Sequence, residues 1–142
     1  MNLRRSILAG LAATAAMTML MLGAPLMGVP NMLIGDMLGA FLHIGSAAGW
    51  GMHLIIGLVL ASIYATWFAA RLPGGPVVRG LVYGLGVFVM AQVLVSPMMG
   101  GGVFSGGNVP MISGSLLGHL VYGALVGGLY GDPHRAAGLA SA

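Results

Sequence analysis

The stretch "SLLGHLVYGALVGGLYGD", residues 115–132, decides how the chain is read. It is long, apolar and rich in glycine, and it carries a single histidine, His119, in its middle. Gly123 follows four residues later and Tyr130 seven beyond that. The same spacing occurs earlier in "HLIIGLVLASIY", residues 53–64, as His53, Gly57 and Tyr64. Positions i, i+4 and i+11 fall within about 40° of one another on an α-helix, so each set forms one stripe on one face. An apolar segment of about 20 residues is long enough to cross a bilayer as a helix. Both stretches are read that way.

Composition places the whole chain in the same class. Its 142 residues include five cations, all arginine, and two acids, Asp36 and Asp132. Mean hydropathy is +1.02. Charged residues make up 5%, against about 25% in an ordinary soluble domain, so water is not the main solvent of this fold. The pI near 10 invites a nucleic-acid reading, but that requires a clustered basic surface. Arg4, Arg5, Arg71, Arg79 and Arg135 are instead scattered at segment ends, and no nucleic-acid partner is expected. The chain has no cysteine, which excludes disulfides, thiolate metal sites and cysteine nucleophiles.

Four spans are expected, at about 5–27, 47–70, 78–98 and 110–131. The first, behind Arg4 and Arg5, has the outline of a signal peptide, but no small-x-small cleavage site follows and it is read as a transmembrane helix. All five arginines flank one side of the membrane in this reading, whereas the connections 28–46 and 99–109 carry none. Cytoplasmic retention of arginine then puts both termini in the cytoplasm. The first connection, "PNMLIGDMLGAFLH", has apolar residues at helical spacing and reads as a short surface helix capped by Asn31. The second, "GGGVFSGGN", reads as flexible or tightly turned and lacks the residues of a phosphate-binding loop.

A shift of 66 residues superposes His53, Leu54, Gly57 and Tyr64 on His119, Leu120, Gly123 and Tyr130. A shift of 72 superposes Pro25, Met27 and Gly28 on Pro97, Met99 and Gly100. The expected fold is therefore an all-α integral membrane protein: a four-transmembrane-helix bundle of two duplicated helical hairpins. A single membrane domain spans 1–142, with repeat 1 at 1–70, a cytoplasmic link at 71–77, repeat 2 at 78–131 and a cytoplasmic tail at 132–142. Two crossings restore the original direction, so the repeats would be related by an axis along the membrane normal. The "GHLVYGALVGGLYG" segment, its earlier echo and the "PMMG" turn resemble a family of small uncharacterised bacterial four-helix membrane proteins, known as a domain of unknown function. That resemblance implies a four-helix fold in the bacterial inner membrane and carries no reaction or functional residue with it.

The candidate site residues follow from the stripes. Small residues at four-residue intervals bring helix backbones together in lipid, which makes Gly49, Gly57, Gly118, Gly123 and Gly127 helix-packing positions. The histidines would share that inward face. Tyr64 and Tyr130 lie close to the arginines, and eleven residues of helix put each histidine about 16 Å further in, near the midplane. Ionisable residues at that depth often mark function. Three uses are open.

In the first, His53 and His119 only fix packing through partners such as Thr14, Thr18, Gln92, Ser113 or Ser115. The protein would then be a small accessory, assembly or scaffold subunit of a larger membrane complex or of its own oligomer. In the second, the two histidines on diagonal helices ligate haem b for electron transfer, its ring passing over Gly49, Gly57, Gly118 and Gly123. In the third, the outer half, rich in methionine and histidine, carries copper or another small solute: methionine is 12 of 142 residues, and thioethers suit Cu(I). Methionine also fills apolar gaps without binding anything. His43 and His134 are expected to be interfacial or solvated. With its two acids at opposite ends, the chain offers no carboxylate pair and no Ser-His-Asp set, so no enzyme is expected.

Overall fold

The computed structural model describes residues 1–132. The tail from 133 onward, with His134 and Arg135, lies outside the described residues. The described chain is helical, with four helices long and apolar enough to cross a membrane: Leu3–Leu26, Ser46–Phe68, Pro76–Met98 and Val109–Tyr130. These match the four expected spans to within a few residues, as a multi-pass membrane protein requires.

Helix α1 (Leu3–Gly23) starts at Asn2, whose side chain accepts from the Arg5 amide at 3.1 Å, and is prolonged by a 3-10 turn, Ala24–Met27. Helix α2 (Ile34–Phe41) is the short helix of the first connection. Its start differs from expectation. Asn31 does not cap it; the N-cap is Leu33, with no side-chain bond. Asp36 takes over the first turn, favoured there by the helix dipole, and accepts the Ser46 hydroxyl. At the other end His43 sits at φ 57°, and the Ile44 amide returns to the Gly39 carbonyl at 3.0 Å, a left-handed helix cap.

Helix α3 (Ser46–Ile63) runs on through a π-helical turn, Tyr64–Phe68. Ser62 and Thr66 hydroxyls bond the carbonyls of Leu58 and Ser62, four residues back, which loosens the ladder at that point. Helix α4 (Pro76–Met90) opens with Pro76 at its first turn and passes through a second π turn, Ala91–Val95, into a final helical turn, Ser96–Met98. Pro97 supplies the cause: it has no amide to give Val93 and its ring crowds that carbonyl. Helix α5 (Val109–Tyr130) is capped by Asn108, which accepts from the Met111 amide at 3.1 Å.

Going round the bundle the order is α1, α3, α4, α5, so sequential spanning helices are neighbours and α3 lies diagonally from α5. Two seams are backbone-tight. On α4 and α5, Gly80 and Gly84 face Gly123 and Gly127, and a methyl on Gly80 or Gly123 would strike the carbonyl of the other. On α1 and α3, Gly10 meets Ala61 and Leu58, and Gly57 meets Thr14. Small residues permit this approach, and dispersion between backbones holds helices together where lipid supplies no hydrophobic drive.

The two ends of the bundle differ. At the arginine end α3 and α4 are locked. Tyr83 Oη donates to the Leu60 carbonyl at 2.8 Å, Arg79 donates to the Ala69 carbonyl at 2.9 Å, and the Tyr64, Phe68 and Tyr130 rings pack round Tyr83 and one another. Tyr64 is fully buried and Tyr130 nearly so, so both tyrosines point into the core rather than outward at the lipid boundary. At the opposite, methionine-rich end the helices stand around a cavity.

Candidate functional site: a methionine- and histidine-lined cavity

The cavity has a volume of about 410 Å³ and takes its walls from all four spanning helices and α2. At least seven of the twelve methionines line it. Met17 and Met21 come from α1, Met32 and Met37 from the first connection and α2, and Met90, Met99 and Met111 from the second half. Both histidines face it. Among the described residues no Asp, Glu, Lys or Arg lines it.

Each histidine is held differently. His53, seven residues into α3, has Nε2 3.2 Å from the Thr18 hydroxyl of α1, with Trp50 edge-on at 6.2 Å. His119, ten residues into α5, has Nδ1 2.7 Å from the Ser115 carbonyl one turn back. A carbonyl only accepts, so Nδ1 carries the proton and Nε2 keeps its lone pair. The Phe88 ring lies edge-on to His119 at 6.0 Å. At 1.5 Å per residue the two histidines sit about 10 and 15 Å in from the methionine end of their helices.

The polar groups near the histidines divide into used and unused. Gln92, almost fully buried in the π turn of α4, accepts the Ser105 hydroxyl at 2.9 Å through Oε1. Tyr122, which the sequence did not single out, donates to the Gly57 carbonyl at 2.6 Å, tying α5 to α3 across the diagonal and forming the floor of the cavity. The signal was present as the aromatic residue three positions after His119. The Thr14 hydroxyl is buried against Gly57, with no hydrogen-bond partner among the described residues. Ser113 is exposed and takes no part.

The second connection closes over the cavity. Gly100, Gly101 and Ser105 form part of the wall, and the Ser96 hydroxyl donates to the Gly102 carbonyl at 2.9 Å. Phe104, Ser105 and Gly106 all have positive φ, at 48°, 52° and 62°. Left-handed backbone at Phe104 and Ser105 is strained, and the Phe104–Phe88 ring contact and the Ser105–Gln92 bond hold it in place. The connection is thus tightly turned.

The five glycines singled out by spacing are all occupied by protein. Gly49 is met by the Gly35 and Gly39 backbone of α2, Gly57 by Thr14, and Gly118 by the methyl ends of Met17 and Met21. Gly123 and Gly127 are met by α4, through Gly80, Gly84 and Pro76. Their partners Gly80 and Gly84, themselves four residues apart, went unnoticed in the sequence because no histidine marks that helix. A flat ring laid over Gly49, Gly57, Gly118 and Gly123 would displace these contacts. No group of three or more His, Cys, Asp or Glu side chains is positioned for a metal ion among the described residues, so any metal here would draw on thioethers.

No curated protein and no solved structure matches the chain. A family profile described as "Family of unknown function (DUF6789)" matches residues 1–138, and the chain belongs to that family.

Proposed function

We propose that this is a multi-pass protein of the bacterial inner membrane that binds a small, uncharged or soft solute within its bundle and passes or stores it, without catalysing a reaction. The arginines at one end support a cytoplasmic placement for both termini, which opens the cavity toward the outer face. The matched His-Gly-Tyr stripes support a duplicated hairpin, since His53 and His119 reach one cavity from diagonal helices.

One observation carries the reading: a cavity of about 410 Å³, methionine-walled and free of charged side chains among the described residues, with two histidines on its wall. Apolar concavities with a few placed polar groups are the usual form of a small-ligand site. The glycine stripes, expected to face the bundle interior, are met there by this chain's own helices. Two observations weigh against the haem reading. The glycine slot is filled, and the propionates would find no cation on the cavity wall.

The test uses the two tryptophans. Trp50 lines the cavity and Trp67 is exposed near the arginine end. In single-tryptophan proteins, Trp67→Phe and Trp50→Phe, a small brominated aromatic compound is titrated in detergent. Saturable quenching of Trp50 with linear quenching of Trp67 is expected. Linear, equal quenching of both would remove the cavity as a binding site.

A further inference from the structure

The geometry points to a soft monovalent metal ion, Cu(I), as the solute, held between His119 Nε2 and the thioethers of Met17 and Met21, with His53 as a second nitrogen donor. This rests on the cavity reading and sharpens it to one ligand chemistry.

The nitrogen donor is prepared. Because Nδ1–H is spent on the Ser115 carbonyl at 2.7 Å, the ring is fixed in the tautomer that leaves Nε2 as an acceptor. Nε2 has no protein hydrogen bond among the described residues. A backbone carbonyl on the far nitrogen is the arrangement that orients metal-binding histidines and raises their basicity. The sulfur donors line the same cavity. A methyl group on Gly118, the residue before His119, would lie 3.3 Å from the terminal carbons of both Met17 and Met21. Glycine at 118 is what lets two methionine side chains from α1 rest on α5 one residue before His119. Met111 and Met99, nearer the methionine end, line the way in.

Charge selects the ion. A wall of neutral thioethers and imidazoles leaves the full ionic charge uncompensated in a low-dielectric site. That cost grows with the square of the charge, so a monovalent ion is tolerated where a divalent one is not. Thioether softness then favours Cu(I) over the hard ions that need carboxylates, and no carboxylate reaches this cavity among the described residues. Methionine used only as filler would not need a histidine held in one tautomer among it.

The experiment titrates Cu(I), anaerobically, into the detergent-purified full chain against a chromophoric Cu(I) chelator, and records copper X-ray absorption on the loaded protein. One Cu(I) per chain with both sulfur and nitrogen scatterers is expected. His119→Gln and the double variant Met17→Leu, Met21→Leu are each expected to weaken binding by about tenfold or more, while His43→Gln leaves it unchanged. If either variant fails to fold, the absorption spectrum of the wild-type protein decides. Complete loss of copper to the chelator from folded wild-type protein, or a spectrum without sulfur, overturns the assignment. Saturable Trp50 quenching that persists in that case keeps the cavity and removes only the copper; linear quenching removes both.

Discussion

The arginine end and the methionine end of the bundle are made from the same four helices and solve packing in opposite ways. At the arginine end, tyrosine rings fill the space between α3 and α4 and spend their hydroxyls on backbone carbonyls, as Tyr83 does on Leu60. At the methionine end the side chains between the helices are flexible thioethers and small polar groups, and a volume of about 410 Å³ stays open. Rigid aromatics with satisfied hydroxyls close a core; methionine, unbranched and adaptable, surrounds space that a ligand can shape. One end is filled by aromatic packing while the other encloses a cavity.

That contrast can be broken most forcefully at the α4–α5 seam, which serves both ends. Gly123→Leu would drive a side chain into the Gly80 carbonyl, and a loss of about 3 kcal/mol or more is expected, read as detergent-resistant folding that collapses in a denaturant titration. A wild-type curve for this variant would mean that the seam is not the close contact described. Next in size, Tyr83→Phe deletes one hydroxyl at the closed end and leaves the Leu60 carbonyl with its helical Tyr64 amide alone. A cost of about 1 kcal/mol is expected in the same titration, with ligand binding at the other end unchanged.

A smaller effect of opposite sign is expected at the open end. Thr14→Val keeps the side-chain shape but removes a buried hydroxyl that has no partner, so the empty protein should gain up to about 1 kcal/mol. Destabilisation by that variant would show that the hydroxyl already has a partner in the empty protein. The smallest effect belongs to Gly86→Leu, on the α4 face where an added side chain meets nothing. Its denaturation midpoint should match wild type, within about 0.5 kcal/mol, which makes it the control for Gly123→Leu.

Periodicity and charge carried the sequence reading a long way at some residues and failed at others. The four spans were legible because a helix that crosses lipid must satisfy its own backbone, and only long apolar runs do so. The inward stripe of Gly57, Tyr64, Gly123 and Tyr130 was legible from spacing, and all four are buried. Asn31 misled as a cap, since Asp36 and Ser46 form their own pair further along. Tyr122 escaped notice, and Gln92 was expected to serve a histidine rather than Ser105, because their roles depend on carbonyls and hydroxyls brought near only by the bundle. The two π turns were equally invisible; each depends on how Ser62, Thr66 or Pro97 strains one turn of a helix already in place.

By itself the sequence determined that this chain is a set of four lipid-length helices with arginine at one end, methionine toward the other, and a histidine on the inner stripe of two of them. These are properties of single helices, set by a 3.6-residue repeat and by the cost of charge in hydrocarbon. Whether the histidines would meet packing, a flat ring or open space was decided only by the tertiary structure. Glycine stripes permit close approach without naming the partner, so it took the assembled bundle to fill them with Thr14, α2 and α4. The same assembly left the methionine end unfilled, because the helices are held together by seams and tyrosines elsewhere.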